Sequence, residues 1–277
     1  MKKLLLFVVS AASITCSQAQ ITLFKKKNKA STVKSDSTQA TQTAAPKQTV
    51  EVITVPKQKK DWSKVVLTNR AADHFMIQYG SDAWTGRPDS VRTKGFSRHF
   101  NLYVMLDKPF KTDPRFSVAY GLGLGTSNMF FDNVKVNLNA NGSTLPFTDV
   151  SSASRYKKFK LTTIYAEIPV ELRFYSDPEN PSKSWKFALG AKVGTLLKAY
   201  TKGKDLQTAN GASIYGPTAI VKESNKRYIN GTRLAATARI GYGVFSLHGS
   251  FNVLGVVKDG FGPAMNLYSI GLSISGL

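Results

Sequence analysis

The chain has 277 residues, 42% of them hydrophobic, and its 38 Lys and Arg against 17 Asp and Glu give a formal net charge of +21. Beyond the N-terminus there is no apolar run of about 18 residues, which excludes helical membrane spans. The single cysteine, Cys16, lies in the predicted targeting segment. A mature chain without that segment would have no disulfide and no thiolate metal or redox site.

Residues 1–19 have the pattern of a secretory signal peptide. Two lysines follow Met1, residues 4–12 are apolar, and SQA at 17–19 is a small-x-small cleavage site. The alternative is a lipoprotein signal in which Cys16 is lipidated. Thr15 and Ser13 are not the residues favoured ahead of such a cysteine, so we predict ordinary cleavage.

Residues 20–64 differ in composition from the rest of the chain. They are rich in Lys, Gln, Thr, Ala and Ser and almost free of aromatic residues. Between Ile21 and Arg70 there are eleven Lys or Arg and three Asp or Glu, a net of +8. Such a segment cannot bury enough apolar surface to offset its chain entropy. It is predicted to be a disordered periplasmic tether, either a solvated linker or an electrostatic contact for membrane phosphates or an acidic partner.

From residue 72 onward the sequence alternates between apolar and polar residues with period two, as β-strands do. The clearest case is the pair of segments within 160–200, joined by the turn SDPENPSKS. Alternating runs of twelve residues or so, with charge on one face, suit tilted strands that cross an outer membrane. The predicted strands are 72–80, 96–107, 115–126, 160–175, 184–200, 230–242, 244–254 and 264–275.

The connections between these strands alternate in length. Those at about 81–95, 127–159, 201–229 and 255–263 are long, whereas DKPFKTDPR, SDPENPSKS and GYG are shorter. Short periplasmic turns, long extracellular loops and an even strand count are typical of outer-membrane barrels. We therefore predict an all-β fold in which residues 65–277 form an eight-stranded antiparallel transmembrane β-barrel in the outer membrane of a Gram-negative cell, with the N-terminal segment in the periplasm.

Charged residues fall on the inward parity of neighbouring strands. Unpaired buried charge is costly, so these side chains are expected to pair in a luminal charge network. They act either as a salt-bridge plug or as a charged constriction in a small pore. The predicted members are Glu167, Glu171, Arg173, Lys192, Arg233 and Arg239.

His248 and Ser250 are two residues apart and share a face, an arrangement that can support acyl transfer and is similar to that of outer-membrane lipid A deacylases. A lipid-modifying enzyme would need both side chains to face lipid, whereas the alternation of the strand places them in the lumen. His74 and His99 lack a second ligand at suitable spacing, so no metal site is predicted. No P-loop or dinucleotide fingerprint occurs, and no cofactor is expected.

The first long loop contains WTGRPD, which offers Trp84, Arg87 and Asp89 as candidates for binding glycan or protein at the cell surface. Turn chemistry explains the same residues equally well. The second long loop carries basic residues near its strand ends, and we expect them to neutralise lipopolysaccharide phosphates rather than to bind nucleic acid. These rim residues are Lys135, Arg155, Lys157, Lys158 and Lys160.

Several blocks carry a family resemblance: LTNRAADHFMIQ at 67–78, WTGRPDS at 84–90, YVMLDKPF at 103–110 and AEIPVEL at 166–172. Residues 65–277 resemble the outer-membrane β-barrel proteins of Bacteroidota, often described as PorT-like. The chain ends in SGL, whereas many barrels end in an aromatic residue that the assembly machinery recognises. The resemblance implies fold and location, and it suggests secretion or envelope assembly as the context.

These features predict a non-enzymatic outer-membrane barrel protein. We expect a structural or accessory subunit of an envelope or secretion complex, which meets its protein partners through surface loops and the basic tether and lies in outer-membrane lipid. The alternatives are the His248/Ser250 enzyme and a small pore that requires an open path through the luminal charges.

Overall fold

The computed structural model describes residues 61, 74–152 and 154–276. The predicted signal peptide, almost all of the tether and the start of the predicted barrel domain lie outside them. No helix in the described ranges is long and apolar enough to cross a membrane. The described strands are β1 Phe75–Thr85, β2 Arg98–Pro109, β3 Phe116–Phe131, β4 Val134–Val136, β5 Phe147–Asp149, β6 Arg155–Tyr175, β7 Trp185–Gln207, β8 Ile220–Ser224, β9 Thr232–Tyr242, β10 Phe245–Asn252 and β11 Asn266–Ser275.

Eight of these strands form a closed antiparallel barrel. β1, β2, β3, β6, β7, β9, β10 and β11 each pair with the next, and β11 pairs with β1 from Met76↔Ser275 to Thr85↔Asn266. Closure leaves no unpaired edge, which is the condition for a sheet to cross a membrane. The predicted eight-stranded barrel is confirmed.

Strand alternation explains which residues face out and which face in. On β7, Phe187 and Leu189 expose 43% and 68% of their surface on the outside, whereas Lys186 and Lys192 are buried inside at 7% and 6%. The same pattern runs around the barrel, so an apolar outer band encloses a polar lumen.

Four strands extend further than predicted at the end of the barrel that carries the long connections. β1 ends at Thr85 and not at residue 80. β3 ends at Phe131, β6 begins at Arg155 and β7 ends at Gln207, because these extensions pair with one another and with the unpredicted strand β8. The β6–β7 register shifts between Ile164 and Tyr165. The second long connection contains another unpredicted feature, the β4–β5 hairpin.

Aromatic side chains mark the end of the barrel that carries the short turns. Phe116, Phe174 and Phe187 are cross-strand neighbours on β3, β6 and β7, with successive ring centroids 5.0 and 6.2 Å apart. Beside them, Trp185 meets Tyr242 edge-on at 5.7 Å. Such rings favour the boundary between hydrocarbon and water, so they place one edge of the membrane at this level.

Candidate functional site

Glu167 lies at the centre of the lumen and is 1% exposed. Its carboxylate accepts a hydrogen bond from Arg233 Nη1 at 2.9 Å and lies 3.2 Å from Lys192 Nζ. The Tyr103 hydroxyl donates to the same carboxylate at 2.5 Å, and the Arg233 guanidinium stacks 3.9 Å from the centre of the Tyr165 ring. One buried anion therefore holds two cations from two other strands.

Glu171 forms a second centre nearer the short turns. It accepts hydrogen bonds from Arg239 Nη2 at 2.7 Å and from Arg173 Nε at 2.9 Å. Arg173 Nη1 also lies 4.0 Å from Asp107 Oδ1. All six predicted network residues thus lie in the lumen, but in two groups, Glu167 with Arg233 and Lys192, and Glu171 with Arg239 and Arg173.

Glycines make room for these carboxylates. Glu167 lies between Gly123 on β3 and Gly194 on β7 in the strand register. A Cβ placed on Gly125 would lie 2.6 Å from the Glu167 carboxylate. The glycines of the inner faces are therefore part of the charge site, because a narrow barrel has no other space for a carboxylate and its two cations.

Asp82, His99 and His248 form a third luminal group, which the sequence did not predict. Asp82 Oδ1 lies 2.7 Å from His99 Nδ1, and His99 Nε2 lies 2.9 Å from His248 Nε2. Ser269 donates to Asp82 at 2.6 Å, and Ser127 donates to its other oxygen. The inward parity of Asp82 and His99 was readable from the sequence, but their approach to His248 depends on barrel closure.

The position of His248 removes the lipid-modifying alternative. The side chain is 4% exposed, points into the lumen and contacts His99. The enzyme hypothesis required His248 and Ser250 to face lipid, so that hypothesis is wrong for this pair. The described residues contain no group of three or more His, Cys, Asp or Glu side chains placed to hold a metal ion.

An apolar cluster, here called the loop cap, closes the end of the barrel that carries the long connections. Strand residues such as Trp84, Phe131 and Leu161 pack against buried side chains of the connections. The connections 86–97, 132–154, 208–231 and 253–265 contribute, among others, Val91, Leu138, Leu145, Tyr228, Ile229, Val256 and Met265. The long loops therefore fold over the barrel mouth and form a hydrophobic core there.

Of the three surface-binding candidates, only two are at the surface. Trp84 lies on β1, is 7% exposed and packs edge-to-face on Phe131 at 5.6 Å. It belongs to the loop cap and does not offer its ring to a partner, which corrects its assignment to the exposed loop. Arg87 and Asp89 are exposed, and Arg87 donates to Thr93 Oγ1 at 2.5 Å.

Little empty space remains between the cap and the short turns. Three internal voids, beside Trp84 and Arg233, beside Asp82 and His99, and beside Arg173 and Lys186, measure about 10 Å³ each. A void of this size accommodates about one water molecule. At these three places the paired charges and the loop cap leave no room for a solute larger than water.

Comparison with known proteins agrees with this architecture. Residues 73–263 match the family described as "Outer membrane protein beta-barrel domain". The chain belongs to this family. Its place is the bacterial outer membrane, so the short turns are periplasmic and the loop cap is extracellular.

The solved structures that are similar to the chain include two of the same protein. No curated protein matches the chain. Ail, the attachment invasion locus protein of Yersinia pestis, is 15% identical over 73% of this chain and 94% of its own, with a TM-score of 0.30. Ail in complex with the heparin analogue sucrose octasulfate is 12% identical over 73% of this chain and 96% of its own, with a TM-score of 0.25.

Tyr228 links two of the capping loops and gives a test of the cap. Its hydroxyl donates to the carbonyl oxygens of Ala140 and of Gly142, the latter at 2.9 Å. Tyr228→Phe leaves those carbonyls without this donor, and we expect the second loop to open more easily by about 1–2 kcal/mol. Hydrogen exchange of residues 134–149 measures this change. Exchange as slow as in the wild type would contradict the role given to Tyr228.

Proposed function

We propose that this protein is a non-enzymatic accessory subunit of an envelope complex, in which the barrel is an anchor in the outer membrane. Its contacts are the extracellular loops and the basic N-terminal segment. The resemblance to PorT-like proteins supports a role in protein secretion or envelope assembly. Protein partners in the envelope follow from this proposal.

The observation that carries the proposal is the filled lumen. Glu167 and Glu171 pair with cations across the barrel, and the adjoining voids of about 10 Å³ are far too small for a solute path. An eight-stranded barrel packed with side chains is a rigid anchor. The small-pore alternative needed an open path past the luminal charges, so the lumen geometry argues against it.

The two proposed contact regions, the extracellular loops and the basic N-terminal segment, differ in charge. At the extracellular end, the loops are folded on the cap and present Arg87 and Asp89. At the periplasmic side, the segment from Ile21 to Arg70 carries a net charge of +8. A segment of this charge suits an acidic partner, because electrostatic attraction speeds the encounter of the two.

Co-purification tests the proposal. The tagged full-length protein is extracted from native outer membrane in mild detergent, and stoichiometric partners are identified by mass spectrometry. We expect a defined partner set that is lost when residues 21–60 are deleted. A matched variant keeps the length and replaces Lys25, Lys26, Lys27 and Lys29 with Gln, which separates loss of charge from loss of the segment.

The same preparations are placed in planar bilayers. We expect conductance equal to that of the empty membrane. A clean monomer in every extract would contradict the accessory role, and steady single-channel currents would restore the pore.

A further inference from the structure

Five lysines share the outer face of β6, β7 and β8 just above the apolar band. Lys160 is paired with Lys202, and Lys202 is paired with Lys222, so three lysines stand side by side across three strands. Lys158 and Lys204 form a second pair two residues further up. Direct cross-strand neighbours lie on one face. We call this set, Lys158, Lys160, Lys202, Lys204 and Lys222, the lysine row.

Like charges directly opposite one another destabilise a sheet unless an anion lies between them. Within the described residues, no carboxylate lies within 4.0 Å of any lysine in the row. The nearby acids Asp205 and Glu223 have the opposite strand parity, and Asp205 is 2% exposed. Lys160 donates only to a neutral group, Asn128 Oδ1, at 2.7 Å. The described residues therefore supply no counter-charge to this face, and its lysines are open to an anion from outside the chain.

The position of the lysine row along the membrane normal indicates which anion could lie against it. On β7 the outward residues from Trp185 to Leu197 are apolar or small, and Lys198 is the first lysine above them. These twelve steps span about 30 Å along the membrane normal, for a rise of about 3.3 Å per residue and a tilt of about 40°. The hydrocarbon core is about 30 Å thick. Because Trp185 lies at the periplasmic edge, Lys198 lies where the hydrocarbon of the outer leaflet ends. Lys202 and Lys204 lie four and six residues further along β7, on the head-group side of that boundary.

Aromatic side chains beside the row provide an apolar surface at the same level. Phe130 lies in register with Lys160, and the charged ends of Lys160 and Arg98 lie 5.7 and 5.5 Å from its ring centre. Phe96, 54% exposed, borders the same cleft, which has a volume of about 280 Å³. On the other side, Lys222 Nζ lies 4.4 Å from the centre of the Tyr200 ring. Cations next to an apolar cleft suit a lipid that has both phosphates and acyl chains.

We propose that the lysine row binds the phosphate groups of lipid A, the phosphorylated glycolipid of the outer leaflet, and that an acyl chain of the lipid lies against Phe130 and Phe96. The inference is independent of the accessory role. A free phosphate would offer the same anion without the chain, and a soluble sulfated polysaccharide would offer charge without a place in the membrane. The test separates all three.

The folded full-length protein in detergent is titrated with bisphosphorylated lipid A, and bound lipid is counted by native mass spectrometry. The variant Lys160→Gln/Lys202→Gln/Lys222→Gln is compared with Lys111→Gln/Lys183→Gln/Lys226→Gln. The second set removes the same charge from exposed residues outside the row. Heat-dependent gel migration verifies that both variants are folded.

We expect the row variant to bind lipid A at least about tenfold more weakly and the control to bind like the wild type. Lipid A without phosphates should bind the wild type as weakly as the row variant binds intact lipid A. Inorganic phosphate or a sulfated polysaccharide should compete only poorly. Equal binding by the row variant, equal binding of the dephosphorylated lipid, or a tighter row-dependent complex with either soluble anion would overturn the proposal.

Discussion

Glu167→Gln is expected to lower the free energy of unfolding by about 3–5 kcal/mol, the range for breaking a buried ion pair. The side chain is 1% exposed, and its carboxylate is the partner of both Arg233 and Lys192. A neutral amide of the same size leaves two cations in the lumen without their anion. Chemical denaturation of the folded barrel in detergent measures the change.

Two further variants make this result specific. Asp259→Asn also removes one negative charge, but from an exposed loop position that has no ion pair in the described structure, and it should change stability by less than about 0.5 kcal/mol. Adding Arg233→Met to Glu167→Gln removes one stranded cation and should recover part of the loss. A Glu167→Gln protein as stable as Asp259→Asn would show that the luminal ion pairs do not hold the barrel together.

Gly123→Ala is expected to cost about 1–3 kcal/mol, and more if the strands cannot move apart. The new Cβ would lie 2.1 Å from the Leu102 carbonyl oxygen and 2.4 Å from Cδ1 of Tyr103. The backbone oxygen belongs to a paired strand, and the Tyr103 ring is held by its hydrogen bond to Glu167. Neither atom can shift without loss of other contacts.

Gly231→Ala is the matched control, because a Cβ at that exposed position meets no atom within 4 Å. The same denaturation experiment compares the two variants. We expect Gly231→Ala to unfold like the wild type. If Gly123→Ala did so too, the small residues of the inner face would not be required for packing of the charge site.

The sequence by itself determined the barrel. Period two assigns each side chain to a face, so Glu167, Glu171 and Arg239 were placed in the lumen before any contact was known. The number of alternating segments predicted the strand count, and the alternating loop lengths predicted the orientation in the membrane. The start of β6 was predicted too late and the end of β7 too early, because the paired extensions at residues 155–159 and 201–207 carry lysines on their outer face and lack the apolar signal of the band.

Only the tertiary structure decided which residues meet. Period two fixes a face but not the partner, and the contacts of Glu167 with Arg233 and of His99 with His248 join residues 66 and 149 positions apart. Those distances depend on register and on closure between β1 and β11. The burial of Trp84 also depends on the tertiary structure. The sequence suggested an exposed loop there, and it could not show that the apolar loop cap folds over this side chain. The lysine row likewise required β8, a strand that exists because β7 continues beyond the membrane and offers it an edge.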